Sequence, residues 1–308
     1  MNTALTKQIS FFAIFILAGY VIINIFSSSG EPSKADKIYK EEFEKNYRIY
    51  AIPLPQTLTL AGEPVPMHLY YVKEQFDREL LINSYWQSQT VQFFKRANRY
   101  FPIIEPILAE NNIPDDFKYL ALIESGLMNV VSPAGATGFW QILDGTGKDL
   151  GLEINSYVDE RYHLEKATIA ACKYISDSKE KYGSWILAAA SYNMGNRGLD
   201  RQLDKQKVSN YFDLHLNEET SRYVFRILAL KYIFENPAQS GFHFREQDLY
   251  PELDYKIVTV DTTINDLVDF AFKFNTTYRE IKLLNPWIRQ YEIPNKGGKV
   301  YEIKVPKI

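Results

Sequence analysis

The hydrophobic pattern of the chain begins with an unbroken apolar run. Ile9 to Phe26 holds eighteen residues without a charge, and Lys7 precedes it. A basic flank followed by an apolar run of this length is typical of an uncleaved signal anchor or of a long signal peptide. We expect residues 1–30 to be the anchor, because no small-residue cleavage site follows, with the rest of the chain across the membrane.

After this run the pattern becomes polar, and we interpret residues 31–66 as an extended tether. Its first half is rich in charged residues and has room for a short helix. Its second half holds four prolines: Pro53, Pro55, Pro64 and Pro66. Proline restricts φ and lacks an N–H donor, so we expect this half to run extended over the surface of the next domain.

Over residues 67–245 apolar residues recur every three or four positions, which predicts an α-helical domain. The first part predicts two or three amphipathic helices, interrupted at Pro102 and Pro106. Asp115 is the predicted cap of the helix that ends near Glu124. Further helices are predicted over residues 141–150, 165–181, 184–194 and 217–235.

The pattern changes again after a polar linker at residues 244–254. "YKIVTV" and "KVYEIKVP" have the β-branched content of strands, whereas "TINDLVDFAFKFN" and "TYREIKLLN" predict helices. We therefore expect a small module of strand, helix, helix and strand over residues 246–308. The predicted fold class is mainly α, a helical domain followed by a small α+β module.

Composition and charge narrow the possible functions. The 308 residues, with 46% hydrophobic and 24% charged content, suit a globular protein of two domains. The net charge of −3 argues against a nucleic-acid binder. The basic cluster Lys95, Arg96 and Arg99 is interpreted as a solvated helix face. The single cysteine, Cys172, lies in an apolar helical pattern and is predicted to be a buried, inert thiol.

Neither a metal nor a cofactor is expected. The four histidines are scattered without paired spacing, so the sequence offers no dedicated metal site. The 22 tyrosines, 19 phenylalanines and 4 tryptophans suit either stacking on ring-shaped ligands or dense core packing.

The candidate chemistry centres on one acid. In "LALIESGLMNVVSPAGATGFWQI", Glu124 is the only ionisable residue. Helical spacing places it on one face with Phe117, Leu120 and Ala121, so the carboxyl should lose hydration and its pKa should rise. A carboxylic acid that stays protonated near neutral pH is what general acid catalysis requires. The alternative is a helix-end glutamate turned to solvent or capping a loop.

The residues around this acid favour the catalytic interpretation. The loop at residues 132–138 is rich in glycine, which lets backbone approach a ligand closely. Phe139 and Trp140 offer a flat surface, and Gln141 an amide with donors and an acceptor. In "LAAASYNMG", Tyr192 and Asn193 end a buried helix, where they can point into a cleft or can be a core tyrosine and a helix terminator.

Taken together, "ESG…SPAGATGFWQI…YVDER…SYNMG…EETSRYV" resembles the lytic transglycosylases of bacterial cell-wall metabolism, which have a goose-type lysozyme-like catalytic domain. The resemblance is nearest to the membrane-bound lytic murein transglycosylase D-type branch. It implies a lysozyme-like α-helical catalytic domain, peptidoglycan as the substrate, and the periplasmic side of the bacterial cell envelope as the location.

The resemblance also implies roles for particular residues. Glu124 matches the catalytic acid/base. The residues that match the substrate-binding positions of the family are Ser132, Gln141, Tyr192, Asn193, Glu219 and Tyr223. The charges of "YVDER", residues 157–161, are expected to form an ion pair without a part in the chemistry.

A single acid suits the reaction that the resemblance implies. A hydrolase needs a second carboxyl group, about 5 Å away in retaining enzymes and further in inverting ones. A lytic transglycosylase cleaves the β-1,4 bond between N-acetylmuramic acid and N-acetylglucosamine and leaves a 1,6-anhydro end, with Glu124 as acid and then base. The alternatives are a hydrolytic muramidase and a non-catalytic, membrane-tethered peptidoglycan-binding protein.

The C-terminal module resembles, more weakly, a degenerate LysM glycan-binding repeat. It has the order strand, Thr-Ile, helix, helix, Asn285-Pro286, but Asp261-Thr262 stands where Gly-Asp is usual. The expected partners are therefore the glycan strands of peptidoglycan, together with the membrane through the N-terminal helix. A module that binds glycan would raise the local concentration of sugar chain at the catalytic cleft; the alternative is a structural appendage.

Overall fold

A computed structural model of the chain describes Tyr20, residues 33–46 and residues 49–307. The chain divides into two compact units, Met1–Ala51 and Ile52–Ile308. Apart from Tyr20, the predicted membrane anchor lies outside the described residues. Within the described ranges, no helix combines the length and the apolar character needed to cross a membrane.

The first unit contains helix α1, Lys34–Asn46. Its start is capped reciprocally, since the Ser33 hydroxyl accepts a hydrogen bond from the Asp36 amide at 3.1 Å and the Asp36 carboxylate accepts one from the Ser33 amide at 3.2 Å. The prediction of a short helix in this polar stretch is confirmed. From Lys34 to Lys45 the side chains of α1 are exposed, as its charged composition requires.

The second unit opens with a short hairpin, β1 (Thr59–Leu60) and β2 (Glu63–Pro64). Ala61 and Gly62 both have positive φ, as in the tight turns that connect paired strands. Leu58, Leu60 and Val65 are buried in the core of the helical domain. This part of the predicted tether is therefore packed into the domain.

Two acids fasten this hairpin to helices. Glu63 accepts hydrogen bonds from the Ser184 hydroxyl at 2.6 Å and from the Trp185 amide at 2.6 Å, at the start of a helix. Asp116 accepts from the Ala61 amide and from Lys231, both at 2.6 Å. Each acid satisfies donors that would otherwise be left without partners on burial.

Eight helices build the main body of the second unit: α2 (Tyr70–Tyr85), α3 (Gln87–Glu110), α4 (Lys118–Ser125), α5 (Asp144–Asp149), α6 (Leu164–Tyr182), α7 (Trp185–Met194), α8 (Asn196–Gln206) and α9 (Glu218–Glu235). They share one apolar core, so the predicted α-helical domain is confirmed. Helices α6, α7 and α9 lie within a residue of their predicted limits. Helix α5 begins three residues later than predicted, because Gln141 has a φ of 48°, which a helix cannot contain.

The predicted interruptions at Pro102 and Pro106 are wrong, because α3 runs through both residues. The two prolines are four positions apart, so they share one face, and that face is exposed. Water can therefore satisfy the carbonyls that lose their helical partners. On the opposite face, buried residues such as Phe101 and Ile104 hold the helix against the core.

The predicted capping role of Asp115 is also wrong. A 3₁₀ turn, Asp115–Phe117, precedes α4, and Pro114 occupies the cap position. The Asp115 carboxylate instead accepts a hydrogen bond from Lys118 at 2.6 Å. Cys172, by contrast, is buried as predicted, and burial raises the pKa of its thiol to about 12, so the thiol stays protonated and inert.

The C-terminal module follows the predicted order of elements. Strands β3 (Tyr255–Val260) and β4 (Tyr301–Pro306) pair antiparallel, with α10 (Leu267–Lys273) and α11 (Tyr278–Leu284) between them. Its core is separate from that of the helical domain. The predicted fold class, mainly α with a small α+β module, is confirmed.

Candidate active site

The helix that carries Glu124 ends immediately after it. Gly126 closes α4 with a φ of 61°, and a Cβ atom there would lie 2.9 Å from the ring of Phe93, so the position needs glycine. Arg96 donates a hydrogen bond to the Gly126 carbonyl at 2.7 Å. The interpretation of the basic cluster on α3 as a merely solvated face is therefore wrong for Arg96, which supports the end of this helix.

The surroundings of Glu124 are apolar, as its helical face predicts. Phe117, Leu120 and Ala121 are all buried, and the Glu124 side chain is itself only partly accessible. Burial raises the pKa of Glu124 to about 7, against the lowering effects of Tyr223 and Arg226. The predicted rise of this pKa is confirmed. The carboxyl group therefore titrates close to neutral pH.

Helix α9 presents three functional groups to this carboxyl. Glu219, Tyr223 and Arg226 are spaced by four and three residues, so they lie on one side of the helix. The Tyr223 hydroxyl donates a short hydrogen bond to Oε1 of Glu124. Glu219 is exposed in the first turn, and its charge raises the pKa of Glu124.

Sequence reasoning missed Arg226. Its charge lowers the pKa of Glu124, and its Nε lies 4.0 Å from the buried carboxylate of Glu79 on α2. Glu79 also accepts hydrogen bonds from Arg222 at 2.6 and 3.3 Å, which hold the carboxylate in place. The signal was available, since Arg226 stands three residues after Tyr223, on the same side of the helix.

Tyr192 approaches Glu124 from the end of α7. Its hydroxyl donates to the Trp140 carbonyl at 2.7 Å, which ties α7 to the glycine-rich loop. Burial raises the pKa of Tyr192 well above its usual value, and the charge of Glu124 is the second cause. The same two causes raise the pKa of Tyr223. Both phenols therefore stay protonated and remain hydrogen-bond donors beside the acid.

The glycine-rich loop is a small folded unit in which Thr137 bridges to both Val131 and Ile142. The Ser132 hydroxyl accepts from the Ala136 amide at 3.0 Å, within the loop. The Gln141 side-chain amide donates to the Val130 and Gly138 carbonyls at 3.0 and 2.8 Å. Both polar side chains thus brace the loop.

The aromatic pair before Gln141 does not form the predicted stacking surface. Phe139 and Trp140 are 4% and 0% exposed, and the Trp140 indole donates to the Thr168 hydroxyl at 2.8 Å. Ser125, next to the candidate acid, donates its hydroxyl to the Phe139 carbonyl at 2.8 Å. The pair therefore anchors the loop to the core and to α4.

A cavity of about 270 Å³ opens beside this loop. Gln141, Tyr192 and Asn193 line it together with Leu143 and Met194. Glu124 is not among its lining residues, and Tyr192 belongs both to this cavity and to the surroundings of Glu124.

The predicted site residues thus fall into three places. Tyr223, Tyr192 and Glu219 surround Glu124, and Gln141 and Asn193 line the adjacent cavity with Tyr192. Ser132 is held apart from them by its hydrogen bonds within the loop. Across the residues that the structure describes, no cluster of His, Cys, Asp and Glu could hold a metal ion.

The charges of the "YVDER" segment form the predicted ion pair. Arg161 donates to both oxygens of Asp159, at 2.9 and 2.7 Å, and both side chains are largely buried. Arg161 also reaches the glycine-rich loop, where it donates to the Gly135 carbonyl at 3.2 Å. The pair therefore supports the loop that carries Gln141.

Comparison with known families assigns both parts of the second unit. Residues 101–214 match the transglycosylase SLT domain, and residues 256–308 match the soluble lytic transglycosylase C-terminal LysM-like domain. Two solved structures have low sequence identity and low TM-scores to this chain. An inactive variant of the lytic transglycosylase Slt from Pseudomonas aeruginosa has a TM-score of 0.39 at 17% identity, over 50% of this chain and 26% of that one. The 70 kDa soluble lytic transglycosylase from Escherichia coli has 0.37 at 20%, over 50% and 27%.

Among curated proteins, membrane-bound lytic murein transglycosylase D of Escherichia coli K12 is 28% identical over 183 residues, which cover 58% of this chain. The protein of the same name from Escherichia coli O6:H1 gives the same figures. The match spans 40% of the length of these relatives. The chain therefore carries a transglycosylase SLT domain followed by a LysM-like domain of the kind found at the C-terminus of soluble lytic transglycosylases.

Proposed function

We propose that this chain is a lytic transglycosylase that cleaves the β-1,4 bond between N-acetylmuramic acid and N-acetylglucosamine in peptidoglycan. The observation that carries the proposal is the state of Glu124, a partly buried carboxyl group whose pKa is raised to about 7 inside a matched SLT domain. Such a group supplies a proton at neutral pH and accepts one back, which is what acid/base catalysis with one residue requires.

In the first step the protonated Glu124 gives its proton to the glycosidic oxygen. The bond from this oxygen to C1 of the muramyl residue breaks, and positive charge develops on the sugar ring. Glu124 is now a carboxylate, and the hydroxyl of Tyr223 stabilises it by the hydrogen bond already present. The substrate's own N-acetyl group is placed to stabilise the charged ring, with Tyr192 and Asn193 orienting it.

In the second step the Glu124 carboxylate takes the proton from the C6 hydroxyl of the same muramyl residue. The C6 oxygen forms a bond to C1 and closes the 1,6-anhydro ring, so no water is consumed. Glu124 returns to its protonated state, and the cycle is balanced. A pKa near 7 suits both directions of proton transfer equally.

We assign the remaining predicted residues to substrate binding. Gln141 and Asn193 line the cavity beside Tyr192, and Glu219 lies exposed in the first turn of α9, where its charge acts on Glu124. Ser132 is assigned to the outer part of the cleft, since its loop is exposed. No metal or cofactor has a part in this scheme.

We further propose that the chain acts at the periplasmic side of a bacterial cell envelope. The apolar run at residues 9–26 would anchor it, and the curated relatives bear the name membrane-bound murein transglycosylase. We divide the chain into an anchor at 1–30, a tether at 31–66 whose hairpin part packs into the catalytic domain, a catalytic domain at 67–245 and a LysM-like module at 246–308. Fractionation of cells tests the anchor. The chain should be found with the membranes, and detergent should release it whereas salt should not.

A hydrolytic muramidase is the second candidate, because Glu219 is a further carboxyl group whose charge reaches Glu124. The products separate the two reactions. Digestion of purified peptidoglycan, followed by mass spectrometry, should give muropeptides lighter than reducing ones by the mass of one water. Products with reducing ends throughout would instead establish hydrolysis.

Replacement of the acid tests whether the chain is an enzyme through this site. Glu124→Gln keeps the shape of the side chain and removes the proton, so the rate of peptidoglycan cleavage should fall by about 10²–10⁴-fold. Glu110→Gln, on the exposed end of α3, is the matched control and should cleave at the parental rate. Equal rates for parent and Glu124→Gln would exclude Glu124 as the acid, and cleavage by neither would favour a binding protein.

A further inference from the structure

A short segment of the helical domain, residues 157–163, lies between the C-terminal module and the glycine-rich loop. We call it the bridging segment. Its backbone pairs with the module, since the Asp159 amide donates to the Trp287 carbonyl at 2.9 Å and the Arg289 amide donates to the Tyr157 carbonyl at 2.8 Å. Between these bonds Val158 forms an antiparallel bridge with Ile288. The module thus adds a strand-like partner to this segment.

Side chains of the bridging segment and of the module also pack against each other. Val158 is 1% exposed and belongs to the core of the module, not to the core of its own domain. The guanidinium group of Arg289 lies over the ring of Tyr162, 3.9 Å from its centre. Such burial of an apolar residue in the other domain's core is typical of a fixed contact, not of a module that swings on a linker.

Charges on the two domains are complementary at the same contact. Lys299 of the module pairs with Glu153 and lies 3.5 Å from the buried Glu160. Lys304, on β4, pairs with Glu165 in the first turn of α6. Glu153 and Glu165 flank the bridging segment in the sequence and Glu160 lies within it, so the ion pairs set its position relative to the module.

The opposite side of the bridging segment contacts the glycine-rich loop. Arg161 donates to the Gly135 and Ile142 carbonyls at 3.2 and 3.4 Å. Gly138 packs so closely that a Cβ atom there would lie 2.0 Å from the Arg161 carbonyl oxygen. Because Gln141 follows three residues later and lines the cavity beside Tyr192, a shift of Arg161 moves the cavity wall.

We propose that the C-terminal module holds the glycine-rich loop in position through the bridging segment. We call this role a buttress. Within its own domain the segment has one 3₁₀ turn, Glu160–Tyr162, and a short backbone pairing with residues 153–155, a small set of bonds to offset the entropy of ordering it. Backbone bonds from the module supply what is missing. Asp159 bonds to the module through its amide and to Arg161 through its carboxylate, which carries the constraint to the loop.

This inference rests on the proposed function and changes what the module does within it. A module that only recruits glycan raises the local concentration of polymer and has no effect on a short soluble substrate. A buttress sets the geometry of the cleft, so its loss lowers turnover of any substrate, however short. A tetrasaccharide of alternating N-acetylglucosamine and N-acetylmuramic acid therefore separates the two roles.

The test uses the full chain, and its first two variants change only residues of the module. The interface variant combines Arg289→Ala, Lys299→Ala and Lys304→Ala. The matched control removes the same number of positive charges from exposed positions of the module away from this contact, with Lys273→Ala, Arg279→Ala and Lys296→Ala. Hydrogen exchange at the Asp159 and Arg289 amides reports whether the module has come away.

In the interface variant we expect faster exchange at the Asp159, Gly138 and Ile142 amides. For the tetrasaccharide we expect kcat to fall about tenfold or more with a smaller change in KM, as for a misplaced catalytic constellation. The control should match the parent in exchange and in kcat. Should the Asp159 amide stay protected in the triple variant, Val158→Asp places a charge in the module's core and is measured in the same way.

Fast exchange at Asp159 with parental kcat on the tetrasaccharide would overturn the buttress. Loss of activity on sacculi alone would assign the module to recruitment instead. If the parent itself cleaves neither substrate, the proposed function fails, while exchange at Gly138 and Ile142 still shows whether the module holds the loop.

Discussion

At the scale of single residues, the candidate site depends on a balance of opposing effects on one carboxyl group. Burial and the charge of Glu219 favour the protonated form of Glu124, whereas Tyr223 and Arg226 favour the carboxylate. Burial is the largest of these effects and raises the pKa from its usual 4.5, whereas the two lowering contacts keep it near neutral pH. An acid that must give and take a proton within one cycle needs this balance.

The balance predicts opposite pH effects for two variants on α9. Because catalysis starts from protonated Glu124, activity should decline as pH rises through its pKa. Tyr223→Phe removes a bond to the carboxylate, so the pKa rises and the decline should move to higher pH by roughly one unit. Glu219→Gln removes a negative charge, so the decline should move to lower pH.

The measurement is the pH dependence of kcat for the parent and both variants. Lower overall rates are compatible with the prediction, since Glu219 is proposed to bind substrate and Tyr223 to stabilise the Glu124 carboxylate. A decline that stays in place in both variants, or moves in the same direction, would contradict it.

The raised pKa of Glu124 also predicts a cost in stability. The folded state binds the proton more tightly than the unfolded chain, so this group makes the fold less stable as pH rises from about 4.5 to about 7. Glu124→Gln should therefore unfold at a higher temperature than the parent at pH 8, with a free energy of unfolding larger by up to about 3 kcal/mol. Near pH 4.5 the difference should nearly vanish. Thermal unfolding at both values checks this, and a variant less stable at pH 8 contradicts it.

At the scale of elements, three helices and one loop meet at Glu124. Helix α4 supplies the acid, α9 supplies Tyr223, and α7 supplies Tyr192 at its last turn. The glycine-rich loop is held by Arg161, which donates to the Gly135 carbonyl within it, and by Ser125, which donates to the Phe139 carbonyl directly after it. A site built in this way depends on the fit between elements more than on any one of them.

Two glycines of the loop offer a matched test of that fit. Gly135 and Gly138 have nearly equal φ, 81° and 82°, but a Cβ atom meets nothing within 4 Å at Gly135, whereas at Gly138 it meets Arg161. Gly135→Ala should therefore cost only the strain of its backbone conformation, about 1 kcal/mol. Gly138→Ala should cost more and should also lower kcat, because the loop must move away from the bridging segment. Urea unfolding and kcat measure both, and equal effects at the two positions would contradict the predicted clash.

At the scale of the whole molecule, ion pairs contribute to the contact between the helical domain and the module. Burial would raise the pKa of Glu165, but its contacts with His163 and Lys304 outweigh burial and hold the pKa at about 2. A lowered pKa means that the carboxylate stabilises the fold above the unfolded value of about 4.5, and that this contribution is lost as pH falls from there toward 2.

Glu165→Gln should consequently be less stable than the parent at pH 7, by up to about 3 kcal/mol. The difference should shrink as the pH is lowered through 4.5 and should be nearly gone near pH 2. Urea unfolding across this range measures it, with Glu74→Gln on the exposed face of α2 as the control. A difference that does not depend on pH would mean that the variant acts through packing.

By itself the sequence determined what depends on local pattern and on local chemistry. The periodicity predicted α6, α7, α9 and all four elements of the module, since spacing of apolar residues reports which face is buried. The apolar face around Glu124 predicted the raised pKa, because desolvation by neighbours on the same helix is a local effect. The continuity of helix α3 through its two prolines was not predicted, because the exposure of these prolines is known only once the packing of the helix is known.

The tertiary structure alone decided what depends on groups far apart in the chain. Arg226 reaches Glu124 across about a hundred positions, and Glu79 holds Arg226 from a third helix. Phe139 and Trp140 turn into the core, although their sequence suits a binding surface as well. The same holds for Val158, whose burial in the module no pattern in its own domain indicates. Close contacts between distant segments carry no periodic signal, because the fold that brings them together is set by the packing of the whole core.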